Sequence, residues 1–379
     1  MVSQSKREYL ARIKDRYRHA DRKGKSRILD EFCAVCGHHR KHAIRLLNAD
    51  QRLRKKKPGR PRRYGAALIR VLENIWLSAG CPCSARMAGM IRLWLPWYEK
   101  RHGELDAQDR HKLETIPPRT LDRLLLVARR KHGHRGLSGT RHGNDLLKHK
   151  IPIKISHHDV DQPGFIQADT VAHGGDSTEG DFLWSLTFTD VFTGWTFNGA
   201  VWNKGQEGVF ELLRQFEEQL PFPVRGIHTD NGGEFLNYHL HRYYLDRDTP
   251  VEMTRTRPGR KNDNPHVEQK NYTHVRLLLG YHRIGNPDLV QPINRLYEAA
   301  NLLNNFFCTT RRLILKERRG ARYYKRYDQP ATPCERLLAV KEMYPIQEAA
   351  LITQSMAIDP YQLRTFIDAQ RRKILTQLR

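Results

Sequence analysis

Three acids stand at points in the chain where a carboxylate needs a reason to be. Asp169 lies inside the apolar, strand-like run Ile166-Gln167-Ala168-Asp169-Thr170-Val171, where it is costly to bury unless it is paired or holds a cation. Asp230 ends a second strand-like run and precedes Asn231-Gly232-Gly233, which allows an abrupt turn and the close approach of a ligand. It would project from the C-terminal edge of a sheet, where open α/β sheets carry their sites. Glu268 follows Asn264-Pro265, a good N-cap and a natural first helical residue. It therefore falls one turn into a helix, on the face shared with Asn271 and Tyr272. Hard oxygen ligands with open positions suit Mg²⁺ or Mn²⁺. Two such ions about 4 Å apart activate a water or a DNA 3′-hydroxyl and stabilise the leaving oxygen in in-line phosphoryl transfer. That chemistry needs no tyrosine or serine nucleophile.

The elements that must hold these acids are legible around them. Runs at 165–172, 182–189 and 195–202, separated by Gly174-Gly175-Asp176 and Thr193-Gly194, predict an antiparallel meander. Val209, Leu212, Leu213, Phe216 and Leu220 recur at helical spacing. A strand over 224–229, a helix over 234–245, a strand over 251–254 and helices over 264–279 and 288–307 follow. Three strands and then helix–strand alternation is the order of an RNase H-like fold, an α/β core with a mixed five-stranded sheet and helices.

Upstream of this core the chain reads as all-α. Residues 26–32 form a helix that 33–36 extend or follow with another, Gly37 marks a turn, and 40–47 form a basic helix. These are the parts of a helix-turn-helix with Arg40, Lys41, His42 and Arg45 toward a DNA groove, or of a plain helical hairpin with a solvated face. The following Lys55-Lys56-Lys57-Pro58-Gly59-Arg60-Pro61-Arg62-Arg63 cannot pack a core. Its centre is similar to an AT-hook but has Pro58 where that motif has Arg, so phosphate binding by Arg60, Arg62 and Arg63 is the better reading. Residues 66–131 form a second helical region, with Trp76, Trp94 and Trp97 as core and a basic helix over 119–130 that includes Arg123. A polar linker over 133–150 precedes the core. Beyond it, residues 311–326 hold eight Lys/Arg against Glu317 alone, and the tail from Ala331 is helical. The regions are thus 1–64, 65–150, 151–310 and a basic C-terminal extension at 311–379.

Charge narrows the partner. The chain of 379 residues has a formal charge of +25, and residues 1–64 alone hold 21 Lys/Arg against six acids. Self-repulsion of that size destabilises a compact fold, and a polyanion relieves it through counterion release. No apolar run approaches the roughly 18–20 residues of a membrane span, and the first residues lack a signal-peptide core. These features predict a cytoplasmic, bacterial, nucleoid-associated protein bound to double-stranded DNA and to no membrane. The six cysteines are those of a reduced chain, and the apolar neighbours of Cys33 and Cys36 favour a buried helix there over a zinc site.

On these residues the chain resembles DDE transposases of bacterial insertion sequences, with a core similar to that of retroviral integrases. Thr229-Asp230-Asn231-Gly232-Gly233-Glu234-Phe235 looks like their second-aspartate motif, and Gln167-Ala168-Asp169-Thr170 matches their first. The 37 residues between Asp230 and Glu268 are similar to the roughly 35 that give the family its name. The resemblance covers about residues 155–310. It implies an RNase H-like core, Mg²⁺ dependence, homo-oligomeric assembly on element ends, and roles for Asp169, Asp230 and Glu268 as metal ligands.

Other residues near the acids have plainer readings. Asp190 is a strand-end turn residue rather than a fourth ligand, and Glu234 complements a helix dipole. Arg255, Arg257 and Arg260 suggest a mobile basic loop over the site, and Lys261 and Lys270 flank Glu268 as DNA contacts or as solvated cations. His173 and His228 are structural hydrogen-bonding groups. The function so predicted is metal-dependent cleavage and strand transfer at the terminal repeats of a mobile element and into target DNA. A DNA-binding regulator that has lost catalysis and an RNase H-like nuclease without joining activity are the two other readings.

Overall fold

A computed structural model of the chain describes residues 3–48, 63–132, 160–177, 179–203, 205–229, 238–256, 265–340 and 345–378. It divides into two compact units, 1–63 and 64–379.

The first unit is three helices, α1 (Ser3–His19), α2 (Arg22–Cys36) and α3 (Arg40–Asn48). Asp21 starts α2 by accepting from Gly24 N at 2.8 Å, the N-cap that satisfies an otherwise orphaned donor. Gly37 ends it in the left-handed region at φ 66°, its N–H on Cys33 O, a conformation that favours glycine. Ile13, Tyr17, Phe32, Cys36, Ala43 and Leu47 close a small core. The helix, Gly turn and basic helix are where the sequence predicts them, while α1 is an addition. Its Ile13 and Tyr17 lie one turn apart among many charges, too weak a stripe to stand out.

In the second unit a five-stranded sheet has the order β3-β2-β1-β4-β5. Its strands are β1 (Phe165–Ala172), β2 (Leu183–Asp190), β3 (Thr196–Trp202), β4 (Gly226–Thr229) and β5 (Glu252–Arg255). β1–β2 and β2–β3 are antiparallel, whereas β1–β4 and β4–β5 are parallel. The parallel pairs require crossovers, and α9 (Gln206–Gln219) and α10 (Tyr238–Leu245) supply them. Leu213 and Phe216 of α9 are buried, with Phe216 stacked on Phe188 of β2 at 4.7 Å.

Helix α13 (Val290–Phe307) covers the β3 edge in an unusual way. Asn301 Oδ1 accepts from Asn198 N and its Nδ2 donates to Asn198 O, both at 3.0 Å. Asn305 does the same to Thr196, and Asn294 to Ala200. Three side-chain amides thus take the place of a sixth strand, satisfying an edge that would otherwise present unpaired backbone groups.

The helices α4 (Ala66–Ser78), α5 (Ser84–His102), α6 (Ala107–Glu114), α7 (Pro118–Leu124) and α8 (Leu126–His132) share one hydrophobic core with the sheet and the C-terminal helices. Trp94 is buried and donates Nε1 to Phe307 O at 3.0 Å, so it serves as core, as predicted. The single basic helix predicted over 119–130 is in fact two short helices broken at Leu125. The break turns Leu121, Leu125 and Ala128 into the core and lets Arg129 reach back to Asp122 and Ser84. Arg123 remains exposed on α7.

After α13 comes an element the sequence reading did not contain, an antiparallel ribbon of β6 (Leu313–Arg319) and β7 (Arg322–Tyr327). The tail then turns helical as predicted, in α14 (Pro333–Leu338), α15 (Pro345–Ala357) and α16 (Pro360–Gln377). Among the described residues no helix is long and apolar enough to cross a membrane.

Candidate active site

The site is built on the junction of β1 and β4. In their parallel register Ala168 is opposite Thr229, and the next residues in sequence are Asp169 and Asp230. Asp230 itself lies outside the described residues, as do Arg60, Arg62, Arg257, Arg260 and Lys261. Asp169 is half-buried. Its Oδ1 accepts from Thr170 N at 2.8 Å and its Oδ2 from Asn271 Nδ2 at 2.7 Å.

The third acid is carried by α11 (Pro265–Lys270). Residues alternate faces along a strand, so Gln167 and Asp169 share one face of β1. Gln167 Oε1 accepts from Val267 N at 3.4 Å, and about one helical turn later Asn271 meets Asp169. The helix therefore lies across the Asp169 face of β1. Glu268 is exposed, one turn before Asn271, on the side of the helix that the i, i+3 rule assigns to both.

The segment is not one α-helix over 264–279 as the sequence predicts. Asn271–Arg276 is a π-helix, followed by the short turn α12 (Leu277–Leu279). Val267, Val275 and Leu279 are fully buried, and with Asn271 they recur every fourth residue. On an α-helix positions four apart drift by about 40° per step, and the wider π turn offsets that drift. Asn271 can then face Asp169 while its neighbours stay in the core. From the sequence, Asn271 is expected on the Glu268 face, with no role of its own. The one available signal was its spacing of three from Glu268.

Arg255 and Lys270 do not stand on a mobile loop or an open helix face, where the sequence puts them. Arg255 is the last residue of β5, paired with Thr229 and buried, so it belongs to the sheet and not to a loop. Its run Glu252-Met253-Thr254-Arg255 completes the parallel edge, and the ladder decides its place. Lys270 is half-buried on the helix side away from Glu268, since residues two apart do not face each other. Its ammonium lies near Arg86, Cys308 and Arg336, and burial first, then those guanidinium groups, pushes its pKa down to about 7. Arg40 is engaged within its own unit, paired with Asp30 and donating to Ser26 Oγ at 2.9 Å. Lys41, Arg45 and Arg63 are exposed.

The plainer readings of Asp190, His173 and His228 agree with their hydrogen bonds, while Glu234 lies outside the described residues. Asp190 is buried and accepts from Gly164 N, Thr193 N and Thr193 Oγ1 at 2.6–2.9 Å, which makes it the clasp of the β2–β3 turn. Burial pushes its pKa up to about 6, against the pull of those donors. His173 Nε2 pairs with Ser185 Oγ at 2.8 Å, and Ser185 with Tyr297. His228 Nδ1 pairs with Thr254 Oγ1 at 2.8 Å.

A meander continued by two parallel strands, with an acid in mid-β1 and a helix bearing another acid laid over it, is an RNase H-like integrase core. Residues 160–259 match the integrase core domain family, an interval that contains Asp169 and Asp230 and stops short of Glu268. "Uncharacterized protein y4rM" of Sinorhizobium fredii (strain NBRC 101917 / NGR234) is 37% identical over 338 residues, spanning 87% of this chain and 94% of that protein. The chain belongs to the RNase H-like DDE transposase family, whose integrase core implies DNA transesterification.

Proposed function

We propose that the chain is a transposase that cuts DNA at the ends of a mobile element and joins the freed 3′-ends to target DNA. The observation that carries this reading is the bond from Asn271 to Asp169, which draws the Glu268 helix onto the strand that carries the first acid, beside the strand that leads to Asp230.

Asp169, Asp230 and Glu268 are the residues that would hold Mg²⁺ or Mn²⁺, two ions per site. The donor set fits such ions. A carboxylate only accepts, so Asn271 must present its amide nitrogen to Asp169, and its Oδ1 is left buried without a partner among the described residues. That oxygen is a further acceptor beside Asp169 of the kind a hydrated hard cation satisfies. Bound there, divalent ions supply charge neutralisation at the scissile phosphate and activation of the attacking oxygen.

The protein's own part is placement. Asn271 and the Thr170 amide fix the orientation of the Asp169 carboxylate, since ligands held by outer hydrogen bonds bind metal better than free ones. Val267 and Gln167 fix the start of α11, and hence the height of Glu268 above β1. DNA is held by the first unit, with Lys41 and Arg45 exposed on α3 in a helix-turn-helix role, by exposed Arg63 and Arg123, and by the basic segments around Arg60, Arg62, Arg257, Arg260 and Lys261. The transposase works as a homo-oligomer on paired ends.

A reporter element carrying the DNA that flanks this gene tests the reading in cells. Mobilisation by the wild type and not by Asp230→Asn is the expected result. A bound but silent wild type would favour a regulator, and end-nicking without joining would favour a nuclease.

A further inference from the structure

The ribbon of β6 and β7 has no role in the carboxylate site. All six residues of β7 are exposed, as are Ile314, Leu315, Arg318 and Arg319 of β6. A lone two-stranded hairpin is marginal at best in water, yet this one is held at its root. Thr310 and Ala331 exchange backbone bonds at 2.8 and 3.2 Å. Arg312 donates from its backbone N to Asp328 Oδ1 at 2.6 Å and from Nη1 to Phe192 O at 2.7 Å, while Arg336 holds Asp328 Oδ2 at 3.0 Å. Gly320 opens the two-residue turn at φ 62°, the sign that a tight hairpin of type II′ needs at its first central position. A fixed root and a defined turn therefore carry a bare blade.

The charge of that blade is one-sided. Residues 311–326 hold eight Lys/Arg against one acid, Glu317, which Arg319 already occupies at 2.9 Å. Arg319 is directly opposite Arg322 in the register, a like-charge pairing that costs stability. The register places Arg322, Tyr324 and Arg326 on one face and Arg318, Tyr323 and Lys325 on the other. A flat anionic surface would use only one of these faces. A groove of duplex DNA has phosphates on both walls, and the major groove, about 12 Å wide, admits a two-stranded ribbon.

The root fixes where that duplex runs. Phe192 lies in the β2–β3 turn, just past Asp190, whose partner on β1 is Ile166. Asp169 lies farther along β1, toward the end where β4 leads to Asp230. We propose that the ribbon lies in a groove of duplex DNA and grips its phosphates from both faces, away from the scissile bond, so that it contributes affinity to complex assembly. The proposal rests on the DNA-transfer reading above.

The test is duplex binding by the full chain, wild type against a combined Arg318→Ser, Arg322→Ser, Lys325→Ser and Arg326→Ser variant, followed by fluorescence anisotropy as salt is raised. Each phosphate contact adds about 0.9 to the slope of log K against log salt, so four lost contacts lower the slope by up to about 3.6. The loss of affinity between about 50 and about 200 mM salt should then shrink by roughly a hundredfold. A second variant, Arg318→Lys, Arg322→Lys and Arg326→Lys, keeps the charge and should keep the wild-type slope, which separates charge from damage to the fold. An unchanged slope in the serine variant overturns the proposal. So does an unchanged slope with altered sedimentation, which would make the ribbon a contact between copies of the chain. A wild type that binds no duplex would instead overturn the DNA reading itself, and the ribbon's role with it.

Discussion

Asn271 Nδ2 lies 2.7 Å from Asp169 Oδ2, joining residues 102 positions apart in the chain. The bond ties a strand acid to the helix that carries a second acid, and it depends on the π turn that begins at Asn271. If it positions Asp169 for metal, Asn271→Ala should lower metal affinity or activity by about 10–100-fold, the range for lost outer-shell partners. Strand transfer measured across a Mg²⁺ titration should show a higher metal requirement, with rate recovering at high Mg²⁺. An unchanged Mg²⁺ dependence would mean the amide only packs.

The edge of the sheet makes a prediction about stability. Asn301→Leu would leave the buried N–H and C=O of Asn198 without partners. At about 1–3 kcal/mol for each unsatisfied group, the variant should lose roughly 2–6 kcal/mol in urea unfolding. A loss below about 0.5 kcal/mol would show that water reaches the edge and replaces the helix.

Acid should weaken the second unit through two histidines. Burial first, then Arg276, pushes His173 down to about 3. Burial, then Lys270 and Arg86, pushes His274 well below its usual value. The folded pKa values are depressed, so between about pH 6.5 and 3 the unfolded chain binds protons that the fold refuses. Stability present above about pH 6.5 is lost as pH falls, by up to about 1.4 kcal/mol per pH unit for each group. Asp190, raised by burial to about 6, acts in the opposite sense below that pH. His173→Gln should reduce the acid-induced loss in thermal unfolding between about pH 6.5 and about pH 4.5, by up to about 1.4 kcal/mol per pH unit. A slope equal to the wild type would mean that His173 is hydrated.

Much of this was legible in the sequence because burial and periodicity agree in the core. β1 spans Phe165–Ala172 where the apolar strand-like run predicts it, and the three-strand meander and α9 fall where turns and apolar spacing put them. The acids were legible because a carboxylate in an apolar strand and a Glu after Asn-Pro are local signals. What escaped was set by distant contacts. Arg255 looks like loop charge until the β4–β5 ladder buries it, and Lys270 looks like a DNA contact until the helix side that faces Cys308 and Arg86 is known. The ribbon escaped because cations and tyrosines are mixed along it, as in Arg322-Tyr323-Tyr324-Lys325-Arg326-Tyr327, with no apolar face to mark a strand. The π turn escaped because nothing local distinguishes it from an α-helix.

The central claim is that Asp169, Asp230 and Glu268 together join DNA strands. Its most direct test is strand transfer by the purified chain with labelled element-end duplex and Mg²⁺, comparing wild type with Asp169→Asn, Asp230→Asn and Glu268→Gln. Joined products from the wild type alone, with all three variants still bound to the duplex, is the result this account predicts. Joining at wild-type rate by any of the three would contradict it.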